Sequence, residues 1–446
     1  MAKNRRRRRG KKLPDSPVEC VIEGLTTEGR GLVHLNDKAV FVDGALPGEK
    51  VLIEYTGTTS KYNEAKVLEV IEASDDRVTP PCQHADICGG CSLQHLATDK
   101  QIENKQNALL ESLKYLGNVA AENVLDVITG PVVGYRYKAR LGVRFVAKKD
   151  RVLVGFREKR SNFLALIEQC EVLHVRVGHQ LASLEALIYD MDAREHIPQI
   201  EVAIDDNDVV LVFRHLQALS ESDIQKLVDY AEEKNFIILL QPGGHESVHN
   251  LYPKDFKSLS YRLEDQRLQF NFEANDFTQV NPVINQKMIN RTIELLDLKE
   301  DEKVLDLFCG LGNFTLPLAQ KAGSVIGIEG NQELVNKAKR NAELNNISNT
   351  EFHAVDLSVK LDNQRWLNQK YDKILLDPPR SGAMEMIHYL GKLGASKIVY
   401  VSCQPTTLAR DAGALVNDYG YRLKAAGVMD MFPHTAHVES IAVFEK

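Results

Sequence analysis

Cys403 stands in the segment VSCQPTTLARD, directly after an apolar run, and its neighbours Ser402, Gln404 and Pro405 make a polar turn. A cysteine at the end of a buried strand is commonly just a small hydrophobe. A polar turn around it favours an exposed thiol instead. Downstream, DMFPHTAHVES supplies His434, His437 and Glu439 immediately before the apolar segment IAVFEK. A thiol with a carboxylate suits one particular methylation. Carbon 5 of uracil is too weak a nucleophile to attack a sulfonium methyl, but thiolate addition at carbon 6 creates an enolate whose carbon 5 can. A base must then take the proton left on carbon 5, and elimination frees the cysteine. Because little of a free thiol is ionised at neutral pH, the site should supply a local base or a positive field. His434 and His437 are read as structural.

A methyl donor needs a cradle, and VLDLFCGLGNFTLPLA offers one: Asp306 at a strand end, then Gly310 and Gly312, then an amphipathic stretch. Glycines let backbone amides approach a ligand closely, and the following helix N-terminus favours a carboxylate or phosphate. The next strand ends in Glu329, 23 residues after Asp306. An acidic side chain there accepts hydrogen bonds from two ribose hydroxyls and excludes a phosphorylated ribose. The pattern fits S-adenosylmethionine. It competes with an NAD enzyme of degenerate fingerprint, since the third glycine of a dinucleotide site is missing. DPPR, from Asp377 to Arg380, follows another apolar strand and so ends on the same rim as Cys403.

The elements that must position these groups form an α/β multidomain chain. Short β-rich runs with Gly and Asn/Asp turns between Pro17 and Glu72 predict a small five-stranded barrel. Its segment GRGLVHLNDKAVFVDGALPGEKV resembles the TRAM domain, an OB-like barrel. A polar/apolar period from about Thr98 to Leu116 predicts a helix, and about Tyr135 to Tyr261 is strand-rich again. From about Phe272 strands alternate with helices, the sign of a doubly wound Rossmann-like domain with its ligands at the strand carboxyl ends. Strands are predicted at Val304–Phe308, Val325–Glu329, Ile374–Asp377 and Ile398–Ser402, and a helix at Gln332–Leu344. The expected organisation is a basic disordered tail at 1–12, the TRAM-like barrel at 13–74, a β-rich central domain at 75–265 and a methyltransferase domain at 266–446. The helix at about 98–116 is placed so that it could pack on the last of these.

Of the 446 residues, eight of the 55 basic ones crowd into positions 1–12, leaving 47 against 62 acidic. The body is therefore acidic, and contact with a polyanion must be made by patches. Arg5–Arg9 read either as a solubilising tail or as a nonspecific RNA-contacting arm. Residues 136–160 carry ten Lys/Arg and two acids. As a strand they put Arg136, Lys138, Arg140 and Arg144 on one face and Tyr135, Tyr137, Leu141, Val143 and Phe145 on the other, a cationic track able to follow phosphates. No apolar run approaches membrane-spanning length and no export signal follows the basic tail, so a cytoplasmic protein without membrane contact, acting as a monomer, is expected.

A reducing compartment makes clustered cysteines metal ligands more often than disulfides. Cys82, Cys88 and Cys91, with Cys170 far along the chain, form one close pair and two outlying thiols. That fits an iron–sulfur cluster better than structural zinc, which favours two close pairs.

Taken together, FTQVN (Phe277 to Asn281), LDLFCGLGNF, DPPR, SCQP-x-T-x-x-RD and H-x-E resemble the RNA uridine-5-methyltransferase family, in matching order over nearly the whole chain. The resemblance implies Cys403 as nucleophile and Glu439 as base. It implies Gln279, Phe308, Asn313, Glu329, Asp356 and Asp377 around the cofactor and uracil, although AVDL is also the pattern of a turn Asp. It further implies a [4Fe–4S] cluster on Cys82, Cys88, Cys91 and Cys170. Members with both a TRAM domain and these cysteines methylate a uridine of 23S ribosomal RNA; another uridine of that RNA, or tRNA, is the alternative. One departure is Gln404, where the family usually has Asn. A cytosine-5 methyltransferase and a noncatalytic RNA-binding iron–sulfur protein are the readings of other classes.

Overall fold

The computed structural model describes residues 16–361 and 364–446, so the run Arg5–Arg9 lies outside the described residues. The chain divides into two compact units. One takes the described residues up to Asp86 together with 91–104 and 434–436, and the other takes 87–90, 105–433 and 437–446.

In the first unit, Val18–Val21 pairs with Lys50–Thr58 and Gly24–Leu25 pairs with Gly31–Leu35. Between these two pairings, Ile22 N–H donates to Glu49 O at 3.0 Å and Glu23 N–H to Leu32 O at 2.8 Å. One bent strand thus serves both edges of the sheet, and five strands close on themselves. Closure removes the unpaired edges that a small sheet would otherwise expose. Cys20, Ile22, Val33, Val40, Val42, Val51, Ile53 and Ala65 fill the interior. The fully buried Glu49 is neutralised by Arg77, with Nε at 2.5 Å and Nη2 at 2.8 Å.

The second unit carries two large sheets. In spatial order, the catalytic sheet runs Thr350–Ala354, Ser324–Glu329, Lys303–Leu307, Lys373–Leu376, Lys397–Ser402, Glu439–Glu445, Arg422–Met429 and Asn123–Val124. The first five are parallel, and Glu439–Glu445 runs antiparallel to both of its neighbours. Strand order reverses beside Lys303–Leu307, which is where such folds open a crevice for a ligand. The helix Gln332–Leu344 matches its expected bounds. The other sheet is ordered His249–Tyr252, Ile237–Gln241, Val209–Arg214, Gln199–Ile204, Lys138–Val146 and Arg151–Gly155.

Two expected boundaries change. The division at 265/266 cuts through the hairpin of Leu259–Leu263 and Leu268–Phe272, whose Leu263, Leu268 and Phe270 pack with Ile284 and Met288 in the catalytic core. Residues 122–130 also leave the central domain. Glu122, Leu125 and Ile128 donate their N–H groups to Leu423, Ala426 and Val428, and Asp430 donates back to Ile128. The open edge of Arg422–Met429 needs a partner for its backbone groups, and this segment supplies it.

The expected helix is Thr98–Tyr115, and past its end Gly117 lies against the helix Pro405–Asn417 that follows Cys403. A Cβ at Gly413 would come within 2.7 Å of Gly117 O and 3.3 Å of Gly117 Cα. Neither backbone can yield. Gly413→Ala should therefore destabilise the protein by about 1–3 kcal/mol, the usual cost of overpacking, read as a lowered Tm in thermal unfolding; an unchanged Tm would mean that the two backbones are not in contact.

Candidate active site

The cradle begins where the strand Lys303–Leu307 ends. Phe308 takes a left-handed φ of 68°, and both its N–H and that of Cys309 donate to Ile328 O, at 2.8 and 3.0 Å. This hooks the turn onto the neighbouring strand. Gly310 has φ 53°, and a Cβ there would meet nothing within 4 Å, so the space above the turn is open. Glu329, at the next strand's end, accepts from Gly310 N–H at 3.1 Å and Asn331 N–H at 3.0 Å. Its carboxylate is held by backbone on both sides. Asp306 is fully buried; Oδ2 accepts from Thr315 Oγ1 at 2.5 Å, while Oδ1 has no hydrogen-bond partner in the protein. Burial, reinforced by Asp377 and Glu329, pushes the Asp306 carboxyl up to about 7. Burial alone takes Asp377 to about 7 as well.

Around this cradle the other expected residues take different parts. Asn313 exchanges hydrogen bonds with Asn285 at 2.9 and 3.1 Å and accepts from Tyr261 Oη at 2.9 Å, so its amide is a strut between the turn, a helix and a hairpin. Gln279 is half-buried beside an exposed Phe277. Val280 O accepts from Tyr137 N–H at 2.8 Å, and Asn281 caps the helix Pro282–Leu296 by accepting from Ile284 N–H at 3.3 Å. Asp356 is exposed two residues beyond Thr350–Ala354 and accepts from Ser358 N–H at 2.9 Å and Ser358 Oγ at 2.6 Å. Those bonds hold its carboxyl below the ordinary range.

Cys403 is half-buried, one residue past Lys397–Ser402. Ser402 pairs with Ser440 across the antiparallel ladder, and Ser440 Oγ donates to Ser402 O at 3.0 Å. One step beyond this last pair stand Cys403, just past its strand, and Glu439, still in the sheet and paired with Met429 on its other side. Burial pushes the Cys403 thiol up, Glu439 and Asp377 push it further, and Arg380 opposes them. Glu439 is buried, and burial with Asp377 raises its carboxyl well above the ordinary value, again against Arg380. The thiol, two carboxyls and one guanidinium therefore share a neighbourhood. Of the expected activating field, Arg380 is the cation acting on Cys403 among the described residues, and burial with the two carboxyls outweighs it.

Sequence reasoning missed what braces this centre. Asp411 Oδ2 accepts from Ala383 N–H at 2.7 Å and Tyr400 Oη at 2.8 Å, while Oδ1 accepts from Arg410 Nε at 2.8 Å. Arg410 Nη2 donates to Ser381 O at 2.9 Å and Thr407 Oγ1 to Arg380 O at 3.2 Å. The loop after DPPR is thus sewn to the helix after Cys403, and the RD of the motif was its only signal. His434 is buried, and its N–H donates to Gln101 Oε1 at 2.8 Å.

The cationic face needs a correction. Arg140 and Arg144 are exposed and Leu141 and Val143 buried as expected, but Lys138 turns inward. Its Nζ donates to Ala274 O at 2.9 Å and to Asp276 O, and burial lowers its ammonium to about 8. Lys138 holds the loop before FTQVN and is lost to a phosphate track.

Cys82 and Cys91 belong to the first unit, Cys88 and Cys170 to the second. Cys82 is buried with its N–H on Gln94 Oε1 at 3.1 Å, and Cys88 Sγ accepts from Gly90 N–H at 3.4 Å. Among the described residues no group of three or more His, Cys, Asp or Glu side chains is arranged to hold a metal ion.

A doubly wound sheet with a nucleotide-type cradle and a cysteine on one rim defines a group-transfer enzyme of the methyltransferase class. The family described as tRNA (Uracil-5-)-methyltransferase matches residues 97–446, and the chain belongs to it. Named relatives include the 23S rRNA (uracil(1939)-C(5))-methyltransferase RlmD of Alcanivorax borkumensis, 51% identical over 98% of this chain and 99% of that protein. The RlmD of Francisella tularensis subsp. novicida is 49% identical over 99% of each. The crystal structure of Pyrococcus abyssi tRNA (uracil-54, C5)-methyltransferase in complex with S-adenosyl-L-homocysteine has the same fold, with TM-score 0.73 at 23% identity over 96% of this chain and 100% of that one.

The raised carboxyl of Asp306 has a measurable consequence. The folded state keeps its proton up to about 7 while the unfolded chain releases it near the ordinary aspartate value of 3.8. Stability is therefore lost as pH rises through that window. The denaturant midpoint should fall less between pH 5 and pH 8 for Asp306→Asn than for the wild type, the residual fall coming from Asp377 and Glu439, whose carboxyls burial also raises. Equal falls would show that Asp306 ionises normally.

Proposed function

We propose that this chain transfers a methyl group from S-adenosylmethionine to carbon 5 of a specific uridine in 23S ribosomal RNA. The observation that carries this is the ladder through Ser402 and Ser440, which delivers Cys403 and Glu439 side by side at the rim that also bears the cradle. The Cys403 thiol first loses its proton to the carboxylate of Asp377 alongside, which leaves Glu439 ionised for the later step. Its sulfur bonds to carbon 6 of the base, and the electron pair of the 5,6 double bond moves into the enolate. The bound donor supplies an electrophilic methyl and a positive sulfonium charge. Ionised Glu439 takes the proton from carbon 5, the double bond re-forms, and the carbon–sulfur bond breaks to release Cys403. A carboxylate of raised pKa is the stronger base for that step.

The open space over Gly310, the unpaired Oδ1 of Asp306 and the two-oxygen face of Glu329 fit the donor's polar groups. Phe308, Gln279, Asp356 and Asp377 are the further residues that would contact donor or base, and Asn313 steadies the turn. The RlmD names of relatives at about half identity support the ribosomal target. A closed N-terminal barrel of TRAM type adds an RNA-binding surface. The target base must be unstacked and flipped into the pocket. Another uridine of 23S RNA, or tRNA, is the second reading, favoured by the shared fold with a tRNA enzyme. On this reading the protein would work in the cytoplasm, beside its RNA, as a monomer. No helix among the described residues is long and apolar enough to cross a membrane.

The four cysteines would hold a [4Fe–4S] cluster with a structural role, since they lie outside the catalytic strands. The all-thiol donor set and the Gly90 N–H aimed at Cys88 Sγ, a contact that favours a thiolate, support this.

With 23S and tRNA transcripts competing, the wild type should methylate the 23S uridine. Cys403→Ala should give no covalent RNA complex on denaturing gels, while Glu439→Gln should accumulate a methylated adduct. An adduct from the Cys403 variant would remove the nucleophile assignment, and methylation of tRNA alone would remove the ribosomal one. Anaerobically purified protein should contain about four iron and four sulfide per chain. Stoichiometric zinc without sulfide would overturn the cluster.

A further inference from the structure

After the strand Arg151–Gly155 the chain makes a compact turn through Arg157, Glu158, Lys159, Arg160, Ser161, Asn162 and Phe163. Glu158 N–H donates to Phe163 O at 2.9 Å, and Phe163 N–H to Ser161 Oγ at 3.0 Å. Arg160 sits at the left-handed corner with φ 54°. Leu164, the next residue, lies over Gly142 of the sheet, where a Cβ would touch its Cδ2 at 2.7 Å. With Leu164 packed inward, Phe163 is left 70% exposed.

A single exposed apolar side chain ordinarily needs no explanation. Its company gives this one meaning. The turn carries Arg157, Lys159 and Arg160 against the one acid Glu158, and on the adjoining sheet Arg144 is exposed while Arg140, also exposed, pairs with Glu201 at 2.9 Å. An aromatic face ringed by cations suits a polymer with flat bases and regular negative charge, whereas an apolar protein surface would have to bury the guanidinium groups.

The turn is also braced from below. Gly89 N–H donates to Arg157 O at 2.8 Å, Lys159 N–H to Ile87 O at 3.0 Å, and Cys88 pairs with Glu158 in an antiparallel bridge. A Cβ at Gly89 would stand 3.0 Å from Arg157 O, so the two backbones are in close contact.

We propose that this turn is a base-stacking contact: Phe163 receives an unpaired base of the RNA substrate, Arg157 and Arg160 take the flanking phosphates, and the segment of Cys88 holds the turn rigid. The inference deepens the RNA-methylating reading and rests on it for the identity of the RNA.

The chain has one tryptophan, Trp366, which is 1% exposed. Phe163→Trp therefore adds an indole that faces solvent. Titration of the full-length variant with a naked 23S transcript should quench the new emission in step with binding. Phe163→Ala should weaken binding about tenfold while leaving the slope of log K against log salt unchanged. Arg157→Gln with Arg160→Gln should instead flatten that slope by about two units. Turnover at saturating RNA should match the wild type in all three. Unquenched Phe163→Trp, or wild-type affinity in Phe163→Ala, would overturn the proposal, as would quenching by protein-containing ribosomal particles but not by the naked transcript. Because the fluorescence reads contact without turnover, it fails separately from the methylation reading.

Discussion

The antiparallel return of Glu439–Glu445 onto Lys397–Ser402 is the constraint on which the reactive centre depends, because it fixes register and reach at once. A one-residue slip would put Glu439 on the opposite face of the sheet from Cys403. The slip is resisted by the apolar residues on both faces: Ile398, Val399, Tyr400 and Val401 face Phe444, Val443, Ala442 and Ile441, all buried. Moving Ile398, Val399, Val401, Ile441, Val443 or Phe444 outward would cost about 1.5–3 kcal/mol each. Catalytic geometry is thus fixed by core packing, and the reacting groups need not hold one another.

The remaining groups reach the centre through polar struts, each crossing between elements far apart in sequence. Lys138 and Tyr137 tie the loop before Asn281 to the central sheet, Asn313 ties the cradle to Asn285 and Tyr261, and Asp411 ties the loop after DPPR to the helix after Cys403. All are satisfied inside the protein, and a buried network of this kind is stabilising only while it stays complete. Loops that must admit a base and a donor gain their rigidity from these side chains, because loop backbone has no ladder of its own.

The parts of this arrangement that were legible in the chain are those whose pattern is local. Strands buried on both faces read as continuous apolar runs, which is why the strand expected at Ile398–Ser402 is found at Lys397–Ser402 and that at Val325–Glu329 at Ser324–Glu329. The strand-end positions of Asp306, Glu329, Asp377 and Cys403 follow directly. Lys138 was misassigned because alternation places a side chain on a face but cannot say what covers that face, here the carbonyls of Ala274 and Asp276. Asn123–Val124 is too short for any period, and its pairing is set by an edge formed some three hundred residues later. The barrel's five-strand count survives only because one bent strand works at both edges.

Electrostatically the centre is poised against its own reaction. Cys403, Glu439 and Asp377 all hold their protons more tightly than free groups would, and Arg380 is the cation that opposes this for Cys403 and Glu439. In the proposed reaction, proton abstraction from carbon 5 requires Glu439 ionised and attack on carbon 6 requires the Cys403 thiolate, so both steps want positive charge brought close. A polyanion bound first would raise these values further. A cation bound at Gly310 and Glu329 would lower them, because the cradle shares the strand-end rim with Cys403 and opposite charge nearby favours the ionised form. The donor's charge and the donor's methyl are then needed in the same place for different reasons, which ties activation of the thiol to the presence of the group it will help to transfer.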